Sequence, residues 1–506
     1  MLPRSVIEES EDHGAAAMTR SVKLIGLDFG TTTSSAVVAS AELAHNAVTG
    51  RAELSQVYEC YRSDMVFTPL LGEALDLDRL GQYLDEWLAK GRVMKDELLG
   101  GGAILTGLTA QKANADALTR LINQLLGEAL VATANDPCFE SWLAFMGSCA
   151  GLSRDHPQRP IINLDIGGGT TNIALGRGGN VVRTGCLLVG ARHVQVVPGT
   201  YQIVRLSRYA SRLFEHIEIR KSAGESLTAD EVDRVLDFYV MLICAAVRGD
   251  VEVFRDPVAR LHQQVEFQAP VELVRDDCDC VLTLSGGVGE LVYAHLRGRP
   301  LPTTTFYGDL GIDLAQRLIA VPEWVDHLRS QVPAGGGRAT VYGLLRHATQ
   351  VSGSTLFLPN PDVLPIRNMP IFGSISPAST DSEIQACLEL TARNPSGGCL
   401  LVKLGSGNDS AVKTLGERLA TRLDRCGFPA DLPLVLVTDR NVGKALGHCV
   451  TAWGRVPVNL MVVDEIDVRD AQFVQVGRMR NQVVPVSLFG VRESHPIRSY
   501  GDGGAQ

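Results

Sequence analysis

The sequence lacks a long apolar run, a long basic run and any CxxC pair of cysteines. Its longest uninterrupted apolar stretch is residues 238–247, whereas a helix needs roughly 20 apolar residues to cross a bilayer. The 57 acidic residues outnumber the 47 basic ones, for a net charge of −10. Because general affinity for nucleic acid depends on a basic face, we expect a soluble protein with no nucleic-acid partner and no membrane contact.

Cysteine usage and the chain ends predict an intracellular protein. The 11 cysteines are scattered and odd in number, which is typical of reduced thiols and predicts a cytoplasmic location. Residues 1–20 carry acids and no apolar core of a signal peptide, so we expect a disordered N-terminal extension. We also expect residues 494–506, which are rich in glycine and polar side chains, to form a disordered tail.

A chain of 506 residues is too long for one core and predicts several domains. Apolar strands alternate with glycine turns, such as Gly286-Gly-Val-Gly-Glu290, and with amphipathic helices, which we predict at 76–95, at 114–130 and near 227–247. The last of these is opened by Ser226-Leu-Thr-Ala-Asp-Glu231, in which capping residues are followed by acids. The alternation indicates an α/β fold.

We place a first lobe at 21–157, a second lobe at 158–355 and a further small C-terminal α/β unit at 356–493. The last boundary falls at the start of a stretch rich in proline and serine.

Two strand–turn–strand segments follow one plan. Asp28-Phe-Gly-Thr-Thr-Thr33 and Asp165-Ile-Gly-Gly-Gly-Thr170 each follow an apolar stretch and precede another. Glycine lets backbone N–H groups approach phosphate, threonine hydroxyls add donors, and a carboxylate can hold Mg²⁺. One such turn is a common hairpin, but two at domain-sized separation predict two related lobes with a nucleotide cleft. The alternative is a pair of glycine hairpins without a ligand.

These turns resemble the phosphate 1 and phosphate 2 motifs of the actin/Hsp70/sugar-kinase superfamily, and Leu284-Ser-Gly-Gly-Val-Gly-Glu290 resembles its adenosine motif. The resemblance implies a two-lobed actin-like ATPase with duplicated ribonuclease H-like lobes, which binds ATP or ADP with Mg²⁺. It implies that Asp28 and Asp165 are catalytic and hold the metal ion. The residues implied to contact the nucleotide are Gly30, Thr31, Thr32, Gly167, Gly168, Gly169, Thr170, Gly286, Gly287 and Gly289.

The segment Glu140-Ser-Trp-Leu-Ala-Phe-Met-Gly147 resembles the first connecting helix of that superfamily. The resemblance implies a catalytic role for Glu140, near the attacking water. Trp142 and Phe145 stand where the superfamily has small residues. The alternative interpretation of Glu140 is a solvated helix residue.

Within the superfamily the chain most resembles the EutA family, the reactivating factors of ethanolamine ammonia-lyase. This resemblance implies an ATP-dependent, chaperone-like protein that hydrolyses ATP slowly. Its partner would be an adenosylcobalamin-dependent ammonia-lyase, in which it promotes exchange of damaged cobalamin for intact cofactor. Segments that carry the resemblance outside the nucleotide motifs are Val351-Ser-Gly-Ser-Thr355, Leu364-Pro-Ile-Arg-Asn-Met-Pro370, Gly443-Lys-Ala-Leu-Gly447, Asp464-Glu465 and Val483-Val-Pro-Val486.

One departure from the family pattern keeps other functions open. Gly343-Leu-Leu-Arg-His347 replaces a glycine-alanine-glycine turn, so Leu344 and Leu345 either close part of the nucleotide cleft or repack a helix start. The alternatives are a small-molecule kinase of the same fold, a scaffold that binds nucleotide weakly, and a reactivating factor for a different adenosylcobalamin enzyme. The sequence does not predict the oligomeric state.

Overall fold

The computed structural model describes most of the chain between residues 20 and 491. The described ranges are 20–30, 33–45, 52–71, 74–94, 97–105, 114–126, 130–134, 137–267, 280–334, 336–345, 349–353, 355–405, 409–468, 471–479 and 482–491. Residues 1–19 and 492–506, which include most of the predicted extension and all of the predicted tail, lie outside these ranges. Thr31 and Thr32 lie outside them as well.

The first lobe is a mixed sheet with two helices packed on it. Its strands run in the order β3-β2-β1-β7-β8, and β4 pairs with β2. The elements are β1 (Arg20–Phe29), β2 (Thr33–His45), β3 (Ala52–Arg62), β4 (Val66–Phe67), β5 (Leu70–Leu71), β6 (Ala74–Leu75), α1 (Leu77–Lys90), β7 (Leu98–Leu105), α2 (Ala115–Leu126) and β8 (Leu130–Ala134).

Both helices of this lobe were predicted from apolar periodicity at 76–95 and 114–130, and both end earlier than predicted. The Asp76 side chain accepts a hydrogen bond from the Arg79 amide at 3.0 Å and caps the start of α1. Gly91 ends α1, and the predicted last residue of the second helix, Leu130, begins β8 instead. Apolar side chains at helical spacing, Leu80 and Leu84 among them, are fully buried under the sheet.

The second lobe follows two connecting helices, α3 (Pro137–Ser148) and α4 (Ala150–Asp155). Its sheet has the order β14-β11-β10-β9-β15. The elements are β9 (Ile161–Ile166), β10 (Thr171–Arg177), β11 (Asn180–Leu187), β12 (Val194–Val196), β13 (Ile203–Leu206), α5 (Arg208–His216), α6 (Ala229–Arg248), α7 (Pro257–Leu261), β14 (Gln263–Val265), β15 (Val281–Ser285), α8 (Gly286–Leu296), α9 (Gly311–Ile319), α10 (Pro322–Ser330) and α11 (Ala339–Gly343).

The two sheets repeat one strand order. In the first lobe β1 is antiparallel to β2 and parallel to β7; in the second lobe β9 is antiparallel to β10 and parallel to β15. The order β3-β2-β1-β7 therefore matches β11-β10-β9-β15. This duplicated arrangement confirms the predicted two-lobed fold with ribonuclease H-like lobes.

The C-terminal part forms the predicted small α/β unit. Its sheet order is β16-β22-β21-β17-β18-β19-β20, in which β17 to β20 are parallel. The elements are β16 (Gln350–Ser352), β17 (Ile366–Ile375), α12 (Asp381–Arg393), β18 (Gly398–Val402), α13 (Asp409–Cys426), β19 (Pro433–Thr438), α14 (Gly443–Val450), β20 (Asn459–Val463), β21 (Ala471–Val476) and β22 (Val484–Val491). The division at residue 356 stays a prediction; β16 already pairs with β22.

A buried carboxylate joins three segments of this unit that are distant in sequence. Asp464 is fully buried and follows β20. It accepts hydrogen bonds from the Ser352 hydroxyl at 3.0 Å and the Gly443 amide at 2.8 Å, and from the Thr355 hydroxyl. Because a buried carboxylate without donors would be costly, these contacts give a structural reason for three of the segments that carry the resemblance to the EutA family.

The two lobes are joined where α3 and α11 cross with their backbones in close contact. A Cβ at Gly147 would lie 1.8 Å from the Ala339 carbonyl oxygen, and a Cβ at Gly343 would lie 2.2 Å from the Leu143 carbonyl oxygen. Only residues without a side chain permit this approach.

Leu344 and Leu345 are buried where the first-lobe sheet meets α3 and the C-terminal unit. Leu344 is 0% exposed and fills the space above Gly102, where a Cβ would come within 2.4 Å of its Cδ2. Leu345 packs with Val22 and Leu24 of β1. Both leucines lie at the end of α11 and not at a helix start, and their burial in apolar clusters favours repacking over closure of a cleft.

None of the described helices combines the length and the apolar character that crossing a membrane requires.

The helix crossing predicts a large difference between two glycine-to-alanine changes. Gly147→Ala should lower the free energy of unfolding by about 1–3 kcal/mol, because the new methyl group forces α3 and α11 apart. Gly151→Ala in α4 is the matched control: its Cβ meets no described atom within 4 Å, so it should leave stability unchanged or raise it by up to about 1 kcal/mol. Urea unfolding of both variants measures this difference, and equal stabilities would contradict the described crossing.

Candidate functional site

The two Asp-led turns are closed by the same backbone hydrogen bond. The Gly30 amide donates to the Thr33 carbonyl at 2.9 Å, and the Gly167 amide donates to the Thr170 carbonyl at 2.9 Å. In the strand ladders Asp28 lies opposite Ser35, and Asp165 lies opposite Asn172. Each aspartate thus stands two residues before the amide that closes its turn and seven residues before its partner across the hairpin.

A contact between the lobes brings these turns opposite each other. The Arg192 amide donates to the Gly168 carbonyl at 2.6 Å, which fixes Arg192 directly behind the second turn. Its guanidinium carbon lies 5.9 Å from the centre of the Phe67 ring. Phe67 pairs with Thr33, the residue that ends the first turn. The contact between Arg192 and Phe67 therefore links the segments beside the two turns.

Asp165 is buried at the end of β9 and held by a hydroxyl of the neighbouring strand. Its side chain is 8% exposed, and Ser285 donates to its Oδ1 at 2.6 Å. Burial raises the pKa of Asp165 to about 6, and the hydrogen bond from Ser285 opposes part of this rise. A carboxylate with a raised pKa is stabilised in its ionised form by a nearby cation.

Further buried side chains fix the orientation of Ser285. The Asn163 amide donates to the Ser285 Oγ at 2.9 Å, and Asn163 Oδ1 accepts from the Thr283 hydroxyl at 3.0 Å. The thiol of Cys149, at the end of α3, lies 3.2 Å from the Thr283 hydroxyl oxygen. The network runs from the site to the helix that connects the lobes, so it holds Asp165 in place from behind.

The predicted adenosine motif forms the first turn of α8, although the sequence predicted a glycine turn there. Gly286 has φ +77°, and a Cβ would lie 2.6 Å from the Ile166 carbonyl oxygen. Ser285 occupies the capping position of α8 but makes no side-chain capping bond, because its hydroxyl donates to Asp165. A Cβ at Gly287 would meet no described atom within 4 Å, so the first turn of α8 is open to a ligand on that side.

His193 has a structural role, because its ring is hydrogen-bonded to the backbone of the second turn. It is 0% exposed. Its Nε2 lies 2.8 Å from the Gly169 carbonyl oxygen and its Nδ1 lies 2.8 Å from the Ser207 hydroxyl. A carbonyl only accepts, so Nε2–H donates to Gly169 and Nδ1 accepts from Ser207. Burial lowers the pKa of His193 to about 4, which keeps the ring neutral.

The interpretation of Glu140 as a solvated helix residue is wrong. Glu140 lies in the first turn of α3 and is 9% exposed. Its charge is among the causes that raise the pKa of the Cys186 thiol on β11, after burial. The neighbouring Ser141 donates to the Gly185 carbonyl at 2.9 Å, so α3 presents this face to the second lobe. The catalytic role of Glu140 stays a prediction.

Mg²⁺ fits this site only together with a nucleotide. Among the residues that the structure describes, no group of three or more histidine, cysteine or acidic side chains could hold a metal ion. Mg²⁺ is usually bound by one or two carboxylates together with water and substrate phosphates. Asp28 and Asp165 supply two carboxylates at the matching ends of β1 and β9, and the burial of Asp165 favours a cation beside it.

Comparison with known sequences decides the family. The family profile described as "Ethanolamine utilisation protein EutA" matches residues 20–490. The chain belongs to the EutA family. Relatives from Salmonella typhimurium and Escherichia coli, both named ethanolamine ammonia-lyase reactivase EutA, are each 29% identical to it and are matched over 93% of this chain and 98% of their own.

Solved structures show more distant likenesses. A PPX-GPPA enzyme of Aquifex aeolicus aligns with 64% of this EutA-family chain and 90% of its own, at 12% identity and a TM-score of 0.32. MreB 5 of Spiroplasma citri bound to AMPPNP aligns with 60% of this chain and 98% of its own, at 17% identity and a TM-score of 0.27.

Sequence reasoning assigned no role to two side chains of the site in this EutA-family protein. Ser285 lies within the predicted adenosine motif, and Arg192 lies outside every predicted motif. The available signal for Arg192 was its position two residues after Gly190. A Cβ at Gly190 would lie 2.6 Å from the Gly168 carbonyl carbon, so this glycine marks a segment packed against the turn.

The neutral state of His193 predicts a pH-dependent loss of stability. Its folded pKa of about 4 lies below the ordinary histidine pKa of 6.5, so the unfolded chain binds the proton first and acid favours unfolding. Between about pH 7 and about pH 5 the wild type should lose about 1–2 kcal/mol more unfolding free energy than His193→Gln. The glutamine amide can still donate to Gly169 but does not titrate.

Urea unfolding at the two pH values measures this difference. Asp165 acts in the opposite direction, because its folded pKa is raised and acid therefore favours its folded form. That contribution is common to both proteins and cancels in the comparison. The same pH dependence in wild type and His193→Gln would contradict a buried neutral histidine.

Proposed function

We propose that this protein is an ATP-dependent reactivating factor for ethanolamine ammonia-lyase, which acts in the cytoplasm and promotes exchange of damaged cobalamin for intact adenosylcobalamin. The observation that carries the proposal is the pair of hairpins with matching register, whose flanking segments are joined by the contact between Arg192 and Phe67. The relatives named ethanolamine ammonia-lyase reactivase support the choice of partner. Slow ATP hydrolysis is part of the proposal.

The residues of the cleft have separate tasks in this proposal. The backbone of Gly30 and Gly167 to Gly169, with the threonines of both turns, binds phosphate oxygens through N–H and hydroxyl donors. Asp165, held by Ser285, orients the attacking water, and Asp28 shares the metal ion with it. Mg²⁺, when bound with the nucleotide, supplies neutralisation of phosphate charge. The open first turn of α8, at Gly287, binds the nucleoside.

The packing between units suggests how the nucleotide state reaches the partner. Val351 and Val483 of the C-terminal part share a buried cluster with Val22 and Leu24 of β1. Movement of the first lobe on the α3–α11 crossing therefore carries the C-terminal unit with it. Two lobe arrangements with different affinity for the lyase would let nucleotide exchange bias the shape of the partner.

The described structure gives less support to one of the three alternatives, the weakly binding scaffold. That hypothesis was motivated by Leu344 and Leu345, which are buried in apolar clusters, and by the Glu140 region, whose carboxylate is buried against the second lobe. The kinase hypothesis needs an acidic base in a pocket for a second substrate. Substrate-stimulated ADP formation across a panel of polyols and acids would favour it over the reactivating factor.

Removal of one carboxylate tests the proposed ATPase. Asp165→Asn should lower ATP turnover by at least about 100-fold, because the amide neither attracts the cation nor orients water. The fold should persist, since the amide keeps an acceptor for Ser285. Asp326→Asn, which removes an exposed carboxylate of α10 in the same lobe, is the control and should retain turnover. Unchanged hydrolysis in Asp165→Asn would show that the site lies elsewhere.

A second experiment tests the coupling to the partner. Ethanolamine ammonia-lyase inhibited with cyanocobalamin is incubated with this protein, and released cobalamin is measured by absorbance after gel filtration. We expect release with ATP and Mg²⁺ and none without nucleotide, because only nucleotide binding changes the lobe arrangement. Release that does not depend on ATP, or its absence with the correct lyase, would contradict the reactivating function. Asp165→Asn serves as the matched protein control.

A further inference from the structure

Arg192 connects the second turn to the segment beside the first turn, and neither the family comparison nor the motifs give it a role. Its backbone amide donates to the Gly168 carbonyl, and its guanidinium faces the Phe67 ring of the other lobe. The Phe67 ring is 57% exposed, so this contact is made over the cleft and not inside a core.

Among the residues that the structure describes, the guanidinium of Arg192 does not find an acceptor for every N–H group. Its Nη1 is buried and has no hydrogen-bond partner among the residues that the structure describes. Burial lowers the pKa of Arg192, and the charge of Asp309 opposes this effect. Asp309 is 3% exposed, and its Oδ1 accepts a hydrogen bond from the Gly311 amide at 2.9 Å. A buried guanidinium donor that lacks an acceptor favours an anionic ligand beside it.

The position of Arg192 along the sheet edge indicates which part of a nucleotide it reaches. In the order β15-β9-β10-β11, α8 begins at the end of β15 and the second phosphate turn joins β9 to β10. Arg192 follows the end of β11, where Leu187 lies opposite Thr171 at the start of β10. Arg192 and the first turn of α8 therefore lie on opposite sides of the phosphate turn.

We propose that Arg192 binds the terminal phosphate of the nucleotide and makes the cleft selective for a nucleoside triphosphate over a diphosphate. This inference rests on the proposed function, because it places the nucleoside at α8 and the phosphate chain across the turns. A diphosphate ends before it reaches Arg192, and the guanidinium then keeps its contact with Phe67. A triphosphate takes the guanidinium as a donor, so Arg192 distinguishes the two states of the cleft.

Titration calorimetry with a non-hydrolysable ATP analogue and with ADP, both with Mg²⁺, tests this proposal on the full chain. Arg192→Met should weaken binding of the triphosphate by about 10- to 100-fold, the range expected for a lost hydrogen bond to a charged group. Binding of ADP should change by less than about threefold. Arg192→Lys, which keeps the charge but not the planar fork, should recover part of the preference.

The matched control is Arg79→Met. Arg79 is exposed on α1 and its guanidinium also stacks on an aromatic ring, 4.7 Å from the centre of Tyr83, so this change removes the same charge and the same kind of contact outside the cleft. It should leave both affinities unchanged. Thermal melting of each variant separates loss of fold from loss of a ligand contact.

The outcomes separate this inference from the function on which it rests. Equal weakening of both nucleotides by Arg192→Met, or weakening of neither, would overturn the role of Arg192 while wild-type binding still supports the nucleotide cleft. A wild type that binds neither nucleotide would overturn both. A purely structural role of Arg192 would leave the ratio of the two affinities unchanged.

Discussion

The close crossing of α3 and α11 is the constraint on which the cleft depends. Each helix presents a glycine, Gly147 or Gly343, to the backbone of the other, and the two lobes meet at this point. The hairpins of Asp28 and Asp165 are locally determined, but a nucleotide can be bound by both only if the lobes are held with their turns opposed. The network from Cys149 through Asn163 to Ser285 connects the same crossing to the Asp165 carboxylate.

Local chemistry explains which parts of the fold the sequence predicts. An aspartate, a glycine and a threonine at fixed spacing specify a tight hairpin, so both turns and their flanking strands follow from short segments. The capping box of α6, with Thr228 and Glu231, was visible for the same reason. Contacts between distant segments were not visible: the stacking of Arg192 on Phe67 joins residues of different lobes, and the burial of Glu140 depends on which face of α3 meets β11.

In the C-terminal unit, too, contacts between distant segments could not be predicted from the sequence. The segments that carry the family resemblance were recognisable in the sequence, but a structural reason for three of them became clear only from the buried carboxylate of Asp464. It accepts hydrogen bonds from two other segments, Val351–Thr355 and Gly443–Gly447. The leucines at 344 and 345 departed from the family pattern, and the sequence alone left two interpretations open. Gly102 provides the space into which Leu344 packs, a compensation more than two hundred residues away in the chain.

The central claim is that both turns bind one nucleotide, and amide hydrogen exchange measures this directly. Peptides that cover residues 28–34 and 165–172 are followed with and without ATP and Mg²⁺, with a peptide from α13 as the internal reference. Both turns should become protected from exchange at the same ATP concentration, while the exchange rate of the α13 peptide stays the same. Protection of one turn alone, or of neither at saturating ATP, would contradict the central claim.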